Sequence, residues 1–241
     1  ELPPPAGWLQ RLVAPVLRGF TWLLFRSFFQ PRVSAQVQRR LLGLFTRITP
    51  VCRGVRIDRG ELGGVPCEWL RPEQDNGWVV LYLHGGAFIV GAAQTHRSLT
   101  SYLARHGAMR VCALDYRLAP EQPFPAAGDD ALAAYRALLA QGQPAARIVI
   151  AGDSAGGNLT LATALRVREL GLPLPAALVC FSPVTDVSGA TLHQPPAGDP
   201  LLQQAWLEQG VSAYCPAGMD RRNPALSPLY AELQGLPPLL V

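Results

Sequence analysis

The sequence lacks lysine altogether: all 21 basic residues among its 241 are arginine. The longest basic runs are two pairs, Arg39 with Arg40 and Arg221 with Arg222, and the other arginines are scattered along the chain. A nucleic-acid interface would gather its basic residues into one patch or stripe. The formal net charge of +4 therefore does not predict a nucleic-acid partner.

Paired cysteines are missing as well. The five cysteines stand at positions 52, 67, 112, 180 and 215, and no two of them form a Cys-x-x-Cys motif. An odd number without such spacing argues against a disulfide framework and against a zinc site. Cys112 and Cys180 fall within apolar, strand-like runs and are expected to be buried. The sequence implies no metal and no cofactor, and its cysteine usage favours a reducing, cytoplasmic compartment.

No uncharged apolar run reaches the roughly twenty residues that a membrane crossing needs. Residues 7–30 come nearest, but Arg11, Arg18 and Arg26 interrupt them, and no small-residue cleavage site is placed for a signal peptide. Their apolar residues recur at helical spacing. This segment is interpreted either as a lid helix over a pocket or as an amphipathic helix on a lipid surface. The lid is favoured, and the two interpretations are compatible.

The motif that organises the chain is Gly-Asp-Ser-Ala-Gly at residues 152–156. It follows an apolar run, residues 147–151, that predicts a buried strand, and it precedes residues 159–170, which predict a helix. A strand, Gly-x-Ser-x-Gly and a helix form the context of a nucleophile elbow, in which a strained turn exposes the serine hydroxyl. The sequence therefore predicts Ser154 as a nucleophile, against the alternative of a tight glycine-rich turn.

A second chemical element, His-Gly-Gly-Ala-Phe at residues 84–88, directly follows a predicted strand at residues 78–83. Adjacent glycines allow backbone N–H groups to approach a ligand with no side chain between them. In an acyl-transfer enzyme such N–H groups stabilise the oxyanion. His84 precedes this loop, so we expect it to order the loop by hydrogen bonding rather than to act as a base.

Strands and helices alternate through the middle of the chain, which predicts a mainly parallel sheet covered by helices on both faces. From Asp186 to about residue 222 this alternation stops, and an excursion of that length is typical of a lid or substrate loop. The charged segment at residues 115–121 is interpreted as a structural salt-bridge network. Besides those named above, the predicted strands are residues 65–70, 111–114 and 176–181, and the predicted helices are residues 34–48, 95–105 and 129–139.

Three motifs carry a family resemblance by their order and spacing. They are His-Gly-Gly-Ala-Phe at residues 84–88, Asp-Tyr-Arg-Leu-Ala-Pro-Glu at residues 115–121 and Gly-Asp-Ser-Ala-Gly-Gly-Asn at residues 152–158. Together with residues 182–186, 227–230 and 236–241, they resemble the hormone-sensitive-lipase-like family of α/β-hydrolase carboxylesterases. The resemblance covers essentially the whole chain.

The resemblance implies an α/β-hydrolase fold with a helical cap. The implied division is a cap segment at residues 1–50, a core at 51–186, a cap insertion at 187–222 and further core at 223–241. It also implies that Ser154 is the nucleophile and that the backbone N–H groups of Gly85, Gly86 and Ala155 form the oxyanion hole. Ala87 stands where many members have a third glycine, and alanine still offers its N–H.

The sequence departs from the family after Ser154, because a triad continues with an acid and then a histidine. The only later histidine is His193, which lies in the insertion, as does Asp199; Asp186 stands at its start. None of them matches a triad position. We therefore expect the acid and base beyond Val241, where a strand beginning near residue 236 breaks off, and little or no activity from these 241 residues alone.

Three hypotheses follow. The first is a serine carboxylesterase that hydrolyses short- to medium-chain acyl esters through an acyl-enzyme on Ser154. The second is a small-molecule-binding relative that keeps the pocket and lacks the base, as the plant gibberellin receptor does within this family. The third is an acyl-peptidase or amidase that uses the same site. The expected partner is a small-molecule ester; peripheral lipid contact through residues 7–30 and a homodimer are left open.

Overall fold

A single seven-stranded sheet forms the centre of the computed structural model, which describes residues 7–191, 199 and 202–241. The strands lie in the order β1-β2-β4-β3-β5-β6-β7. The five strands from β4 to β7 run parallel, whereas β2 is antiparallel to both of its neighbours. The strands are β1 Val55–Leu62, β2 Val65–Pro72, β3 Val79–Leu83, β4 Arg110–Leu114, β5 Ile148–Asp153, β6 Ala177–Phe181 and β7 Leu239–Leu240.

Helices cover both faces of this sheet, as the sequence predicts. Because side chains alternate along a strand, Leu81 and Leu83 of β3 face one side, while Tyr82 faces the other. The first side packs against α4 and α5, and the second packs against α3. The described helices are α1 Trp8–Phe28, α2 Ala35–Phe45, α3 Arg97–Gly107, α4 Ala126–Ala140, α5 Ala155–Glu169 and α6 Gln204–Tyr214.

The predicted elements recur with small shifts at their ends, and one strand was not predicted. Strand β1 is an exposed edge strand with the sequence Val-Arg-Ile-Asp-Arg-Gly-Glu-Leu, whose few apolar residues give only a weak strand pattern. Gly63 and Gly64 are the two-residue turn of the β1–β2 hairpin. Both have positive φ, +63° and +78°, which is the backbone that such a turn requires.

The N-terminal segment and the insertion contact each other above the carboxyl ends of the strands. The Trp206 indole N–H of α6 donates to Gln38 Oε1 of α2 over 2.7 Å, and both residues are buried. The Phe29 ring, just after α1, meets the Trp206 ring edge-on at 5.7 Å. These contacts join the two segments that the sequence assigns to a cap, whose boundaries stay a prediction. His193 lies outside the described residues.

Candidate active site

Ser154 stands at a sharp turn between the end of β5 and the start of α5. Its φ of +50° is rare for a residue with a side chain, and neighbouring backbone fixes it. The Ser154 N–H donates to the Phe181 carbonyl over 2.9 Å, and its carbonyl accepts from the Val184 N–H over 3.0 Å. The sequence places the helix start at residue 159; it lies at Ala155, because the turn leads directly into the helix.

Glycine is required on both sides of this turn because two pieces of backbone lie very close to it: the end of β3 and the start of the loop at residues 84–88, called the donor loop below. A Cβ at Gly152 would lie 2.6 Å from the Leu83 carbonyl oxygen, and one at Gly156 would lie 2.7 Å from the His84 carbonyl oxygen. Real Cβ atoms essentially never come that close to a backbone atom. The two motifs, 68 residues apart in the sequence at Gly85 and Asp153, are thus fitted against each other.

The donor loop presents its N–H groups differently from the sequence-based assignment. The Gly85 N–H donates to Asp153 Oδ1 over 3.0 Å. The Gly85 N–H therefore already has an acceptor, and the oxyanion role expected for it from the sequence stays a prediction. Among the described residues, the N–H groups of Gly86 and Ala87 have no acceptor. The Ala155 N–H is likewise without one, as is usual in the first turn of a helix.

Asp153, the variable position of Gly-x-Ser-x-Gly, is the centre of a polar cluster that the sequence analysis missed. Its Oδ1 accepts a hydrogen bond from the Gly85 N–H and another from the Tyr82 hydroxyl over 2.6 Å. The same oxygen lies 3.4 Å from His96 Nε2. Burial favours a higher pKa for Asp153, but the contacts with His96, Tyr82 and Gly85 outweigh it and lower the pKa. Asp153 is therefore a carboxylate at neutral pH. The feature of the sequence that could have identified Asp153 as a site residue is its position directly before Ser154.

His84 is enclosed by the protein, and its described hydrogen bonds do not include Ser154. Its Nδ1 lies 2.9 Å from the Gly85 carbonyl oxygen, and its ring stacks on Tyr116 at 4.2 Å. Burial, with the neighbouring His96, lowers the pKa of His84 to about 3, so the ring is neutral at pH 7. Its Nδ1 thus contacts the loop at Gly85, and the loop-ordering role expected from the sequence stays a prediction. In the part of the chain that the structure describes, no side chain hydrogen-bonds Ser154 Oγ.

The charged segment at residues 115–121 supports the same loop. The Tyr116 hydroxyl donates to the His84 carbonyl, and the Ala119 N–H donates to the Phe88 carbonyl over 3.0 Å. Arg117 is paired with Asp130 of α4 at 2.7 Å. These contacts agree with the sequence-based interpretation of a structural network.

A second arginine joins the cap segment to this network. Arg39 of α2 donates through Nε to the Ile89 carbonyl over 2.7 Å and through Nη2 to the Ala119 carbonyl over 2.6 Å. It also pairs with Glu121 at 2.8 Å. Arg39 thereby links α2 to the residue directly after the donor loop and to the segment at residues 115–121.

Ser154 borders two mainly apolar cavities that meet at Ala87 and Leu207. One, of about 280 Å³, is walled by residues of the N-terminal segment and α6, among them Phe25, Phe29, Leu42 and Trp206. The other, of about 270 Å³, lies toward the insertion and is walled by residues such as Val184, Val187 and Val211. Asp186 lines the second cavity but faces Ser188 and Thr191, whose hydrogen bonds outweigh its burial and lower its pKa to about 2.

The comparisons with known proteins agree with this geometry. Residues 80–241 match a family described by the alpha/beta hydrolase fold. An acetyl-hydrolase of Streptomyces hygroscopicus is 47% identical over 182 residues, which are 75% of this chain and 60% of that protein. An esterase of Acinetobacter venetianus is 36% identical over 218 residues, which are 90% of this chain and 72% of that protein.

Solved structures lead to the same family. A crystal structure of a hormone-sensitive lipase from a metagenome library superposes with a TM-score of 0.82 at 42% identity, over 86% of this chain and 72% of that one. A hormone-sensitive-lipase homologue, also from a metagenome library, gives 0.81 at 41% identity, over 92% and 76%. The resemblance and the fold class expected from the motifs are both confirmed. The chain therefore belongs to the hormone-sensitive-lipase-like family of α/β-hydrolase carboxylesterases.

Proposed function

We propose that the full-length protein hydrolyses small carboxylic esters through an acyl-enzyme on Ser154. The observation that carries this proposal is the juxtaposition at one point of a strained serine, three N–H groups without acceptors and two apolar cavities. Ser154 Oγ would attack the ester carbonyl and pass its proton to a general base, the alcohol would leave, and water would then release the acid. That base, expected C-terminal to Val241, stays a prediction.

The oxyanion would be held by the N–H groups of Gly86, Ala87 and Ala155. Ala87 replaces Gly85 of the sequence-based set, since the Gly85 N–H is occupied by Asp153. The positive φ at Ala87, +50°, is maintained although the residue has a Cβ. Preorganised donors of this kind contribute to catalysis because they require no reorientation when charge develops on the substrate oxygen.

Asp153 and His84 would act as positioning residues. The Asp153 carboxylate holds one end of the donor loop through Gly85, and the His84 ring contacts the Gly85 carbonyl from the other side. Neither needs to touch the substrate. Their effect would be to aim the next two N–H groups, those of Gly86 and Ala87, at the reacting carbonyl.

The two cavities favour an ester with one apolar group on each side of the scissile bond. Their similar volumes, about 280 and 270 Å³, suit acyl and alcohol groups of short to medium length. The names of the Streptomyces and Acinetobacter relatives, an acetyl-hydrolase and an esterase, agree with an ester substrate. We further propose a cytoplasmic location, supported by five cysteines that are all free thiols, four of them buried.

The test is the kinetics of the full-length protein on matched short-chain ester and amide substrates. Ser154→Ala is expected to lower kcat at least about a thousandfold, because residual catalysis would come only from binding and the oxyanion donors. The matched control, Ser98→Ala on the exposed side of α3, should leave kcat unchanged. Preference for the amide would favour an acyl-peptidase, and binding without turnover would favour the non-catalytic relative.

A further inference from the structure

The outer face of α1 is uncovered in the described part of the chain, although it is apolar. Leu12, Val16 and Leu23 are 61%, 70% and 59% exposed, and Trp22 and Val13 are also exposed. Residues spaced by four and by seven lie on one face of a helix, so the first three form a continuous stripe. A stripe of large apolar side chains facing water indicates a partner.

The C-terminal end of the same helix is held by the protein. The Phe25 ring stacks with Phe29 at 4.8 Å, and the Phe28 ring packs against Phe45 of α2 at 5.9 Å. Phe25 and Phe29 also wall the cavity that contains Ser154. The exposed stripe therefore lies on a helix whose other end borders the catalytic cavity.

Charge is distributed unevenly along the chain in a way that suggests the partner. Residues 2–57 contain nine arginines and no acidic residue, whereas residues 58–241 contain twelve arginines and sixteen acidic residues. Three of the nine, Arg11, Arg18 and Arg26, are on α1, and the Arg26 guanidinium lies 5.4 Å from the centre of the Trp22 ring. Arginine and tryptophan beside an apolar stripe are typical of helices that lie at a lipid–water interface.

We propose that the outer face of α1, defined by Leu12, Val13, Val16, Trp22 and Leu23, binds anionic phospholipid surfaces. The stripe would enter the boundary between headgroups and acyl chains, and the arginines would contact the headgroups. A second copy of this face would bring like charges together, whereas an anionic bilayer complements them. No described helix is long and apolar enough to span a membrane, so α1 would lie along the surface. Bound in this way, the protein presents its Ser154 cavity next to lipid.

The experiment is flotation of the full-length protein with vesicles of pure phosphatidylcholine and with vesicles that also contain phosphatidylglycerol. We expect binding to the mixed vesicles, weakened by added salt because the headgroup attraction is screened. The double variant Val16→Glu with Leu23→Glu should bind at least about tenfold more weakly, since two apolar side chains no longer enter the bilayer. The control, Leu170→Glu at the exposed residue directly after α5, should bind like the wild type.

Two further measurements separate this proposal from others. Ser154→Ala should bind vesicles as the wild type does, because docking needs no catalysis, so failure of the proposed esterase activity leaves this test intact. The double variant should hydrolyse a water-soluble ester at the wild-type rate, which shows that it is folded. No binding to either vesicle, or equal loss with Leu170→Glu, would overturn the proposal. A dimer that the double variant dissociates, without vesicle binding, would assign the face to a second copy instead.

Discussion

The Ser154 elbow and helix α1 border the same cavity, yet the chain holds them in opposite ways. At the elbow, small residues bring backbone against backbone, Asp153 accepts a hydrogen bond from the donor loop, and the Ser154 backbone is bonded to Phe181 and Val184. Helix α1 is held at its C-terminal end by aromatic packing, and its large apolar side chains face outward. The function proposed for the elbow would thus depend on a close fit of the backbone, whereas the function proposed for α1 would depend on the apolar and basic side chains at its surface.

Because of this difference, the molecule should tolerate substitutions on α1 better than substitutions at the elbow. One methyl group added at the elbow meets backbone atoms that cannot move aside, so both stability and catalysis should suffer. One methyl group added in α1 meets nothing within 4 Å at Gly19. Substitutions on α1 should therefore leave the fold intact and change only what the surface binds.

The largest expected effect comes from adding that methyl group at both places. Gly156→Ala should destabilise the protein by about 3 kcal/mol or more, or prevent folding, because its Cβ would collide with the Leu83 and His84 carbonyl groups. Gly19→Ala, inside α1, should be stabilising by up to about 1 kcal/mol, because alanine is the better helix former. Urea unfolding midpoints of the two variants measure the contrast. If the unfolding midpoints of both variants shifted equally and only slightly, the proposed difference between the elbow and α1 would be contradicted.

The next effect concerns the polar centre of the elbow. Asp153→Ala removes the acceptor of the Gly85 N–H and the Tyr82 hydroxyl, and is expected to lower kcat about a hundredfold with little change in KM, because the oxyanion donors lose their aim. Asp153→Asn keeps an acceptor oxygen and should recover most of the activity. A merely structural role would instead lower the unfolding midpoint in parallel for both variants and leave kcat per folded molecule unchanged.

A smaller effect is expected where the cap segment joins the core. Arg39→Gln should lower the free energy of unfolding by about 2 to 4 kcal/mol, because the Ile89 and Ala119 carbonyl groups lose a charged donor. Arg40→Gln, one residue along on the exposed side of α2, is the control and should have an effect within about 0.5 kcal/mol. If Arg40→Gln lowers the free energy of unfolding as much as Arg39→Gln does, the positive charge of α2 stabilises the protein rather than the hydrogen bonds of Arg39.

The smallest effect is a pH dependence at the same junction. The hydrogen bond from Arg39, opposed by burial, lowers the pKa of Glu121 from 4.5 to about 2. The resulting stability is present above pH 4.5 and is lost as the pH falls toward 2, when the carboxylate is protonated in the folded state as well. Because the Glu121 side chain is 43% exposed, the contribution is at most about 1 kcal/mol. In Glu121→Gln, the free energy of unfolding should change less between pH 4.5 and 2 than in the wild type. An unchanged pH dependence would show that Glu121 does not contribute to it.

Much of the fold and the nucleophile could be predicted from the sequence, since both rest on local patterns. The apolar run before Gly152 and the small residues after it specify a strand, a turn and a helix regardless of the rest of the chain. Strand β1 was missed because an exposed edge strand has little apolar alternation.

The finer geometry of the site could not be predicted from the sequence because it depends on contacts between residues that are distant along the chain. Which way the Gly85 N–H points follows from Asp153, 68 residues later, and not from the glycines themselves. No sequence pattern pointed to His96, because its partner Asp153 lies 57 residues later and comes within 3.4 Å only in the folded chain. The proposed exchange of Gly85 for Ala87 among the oxyanion donors rests on this contact.

The most direct test of the central claim is covalent labelling of the full-length protein with a phosphonate ester, followed by peptide mass mapping. The proposed mechanism predicts one label per molecule, located on Ser154, with loss of ester hydrolysis in proportion to labelling. Ser154→Ala protein should remain unlabelled under the same conditions. Active protein in which Ser154 stays unlabelled, or a label on another residue with full loss of activity, would contradict the assignment of Ser154 as the nucleophile.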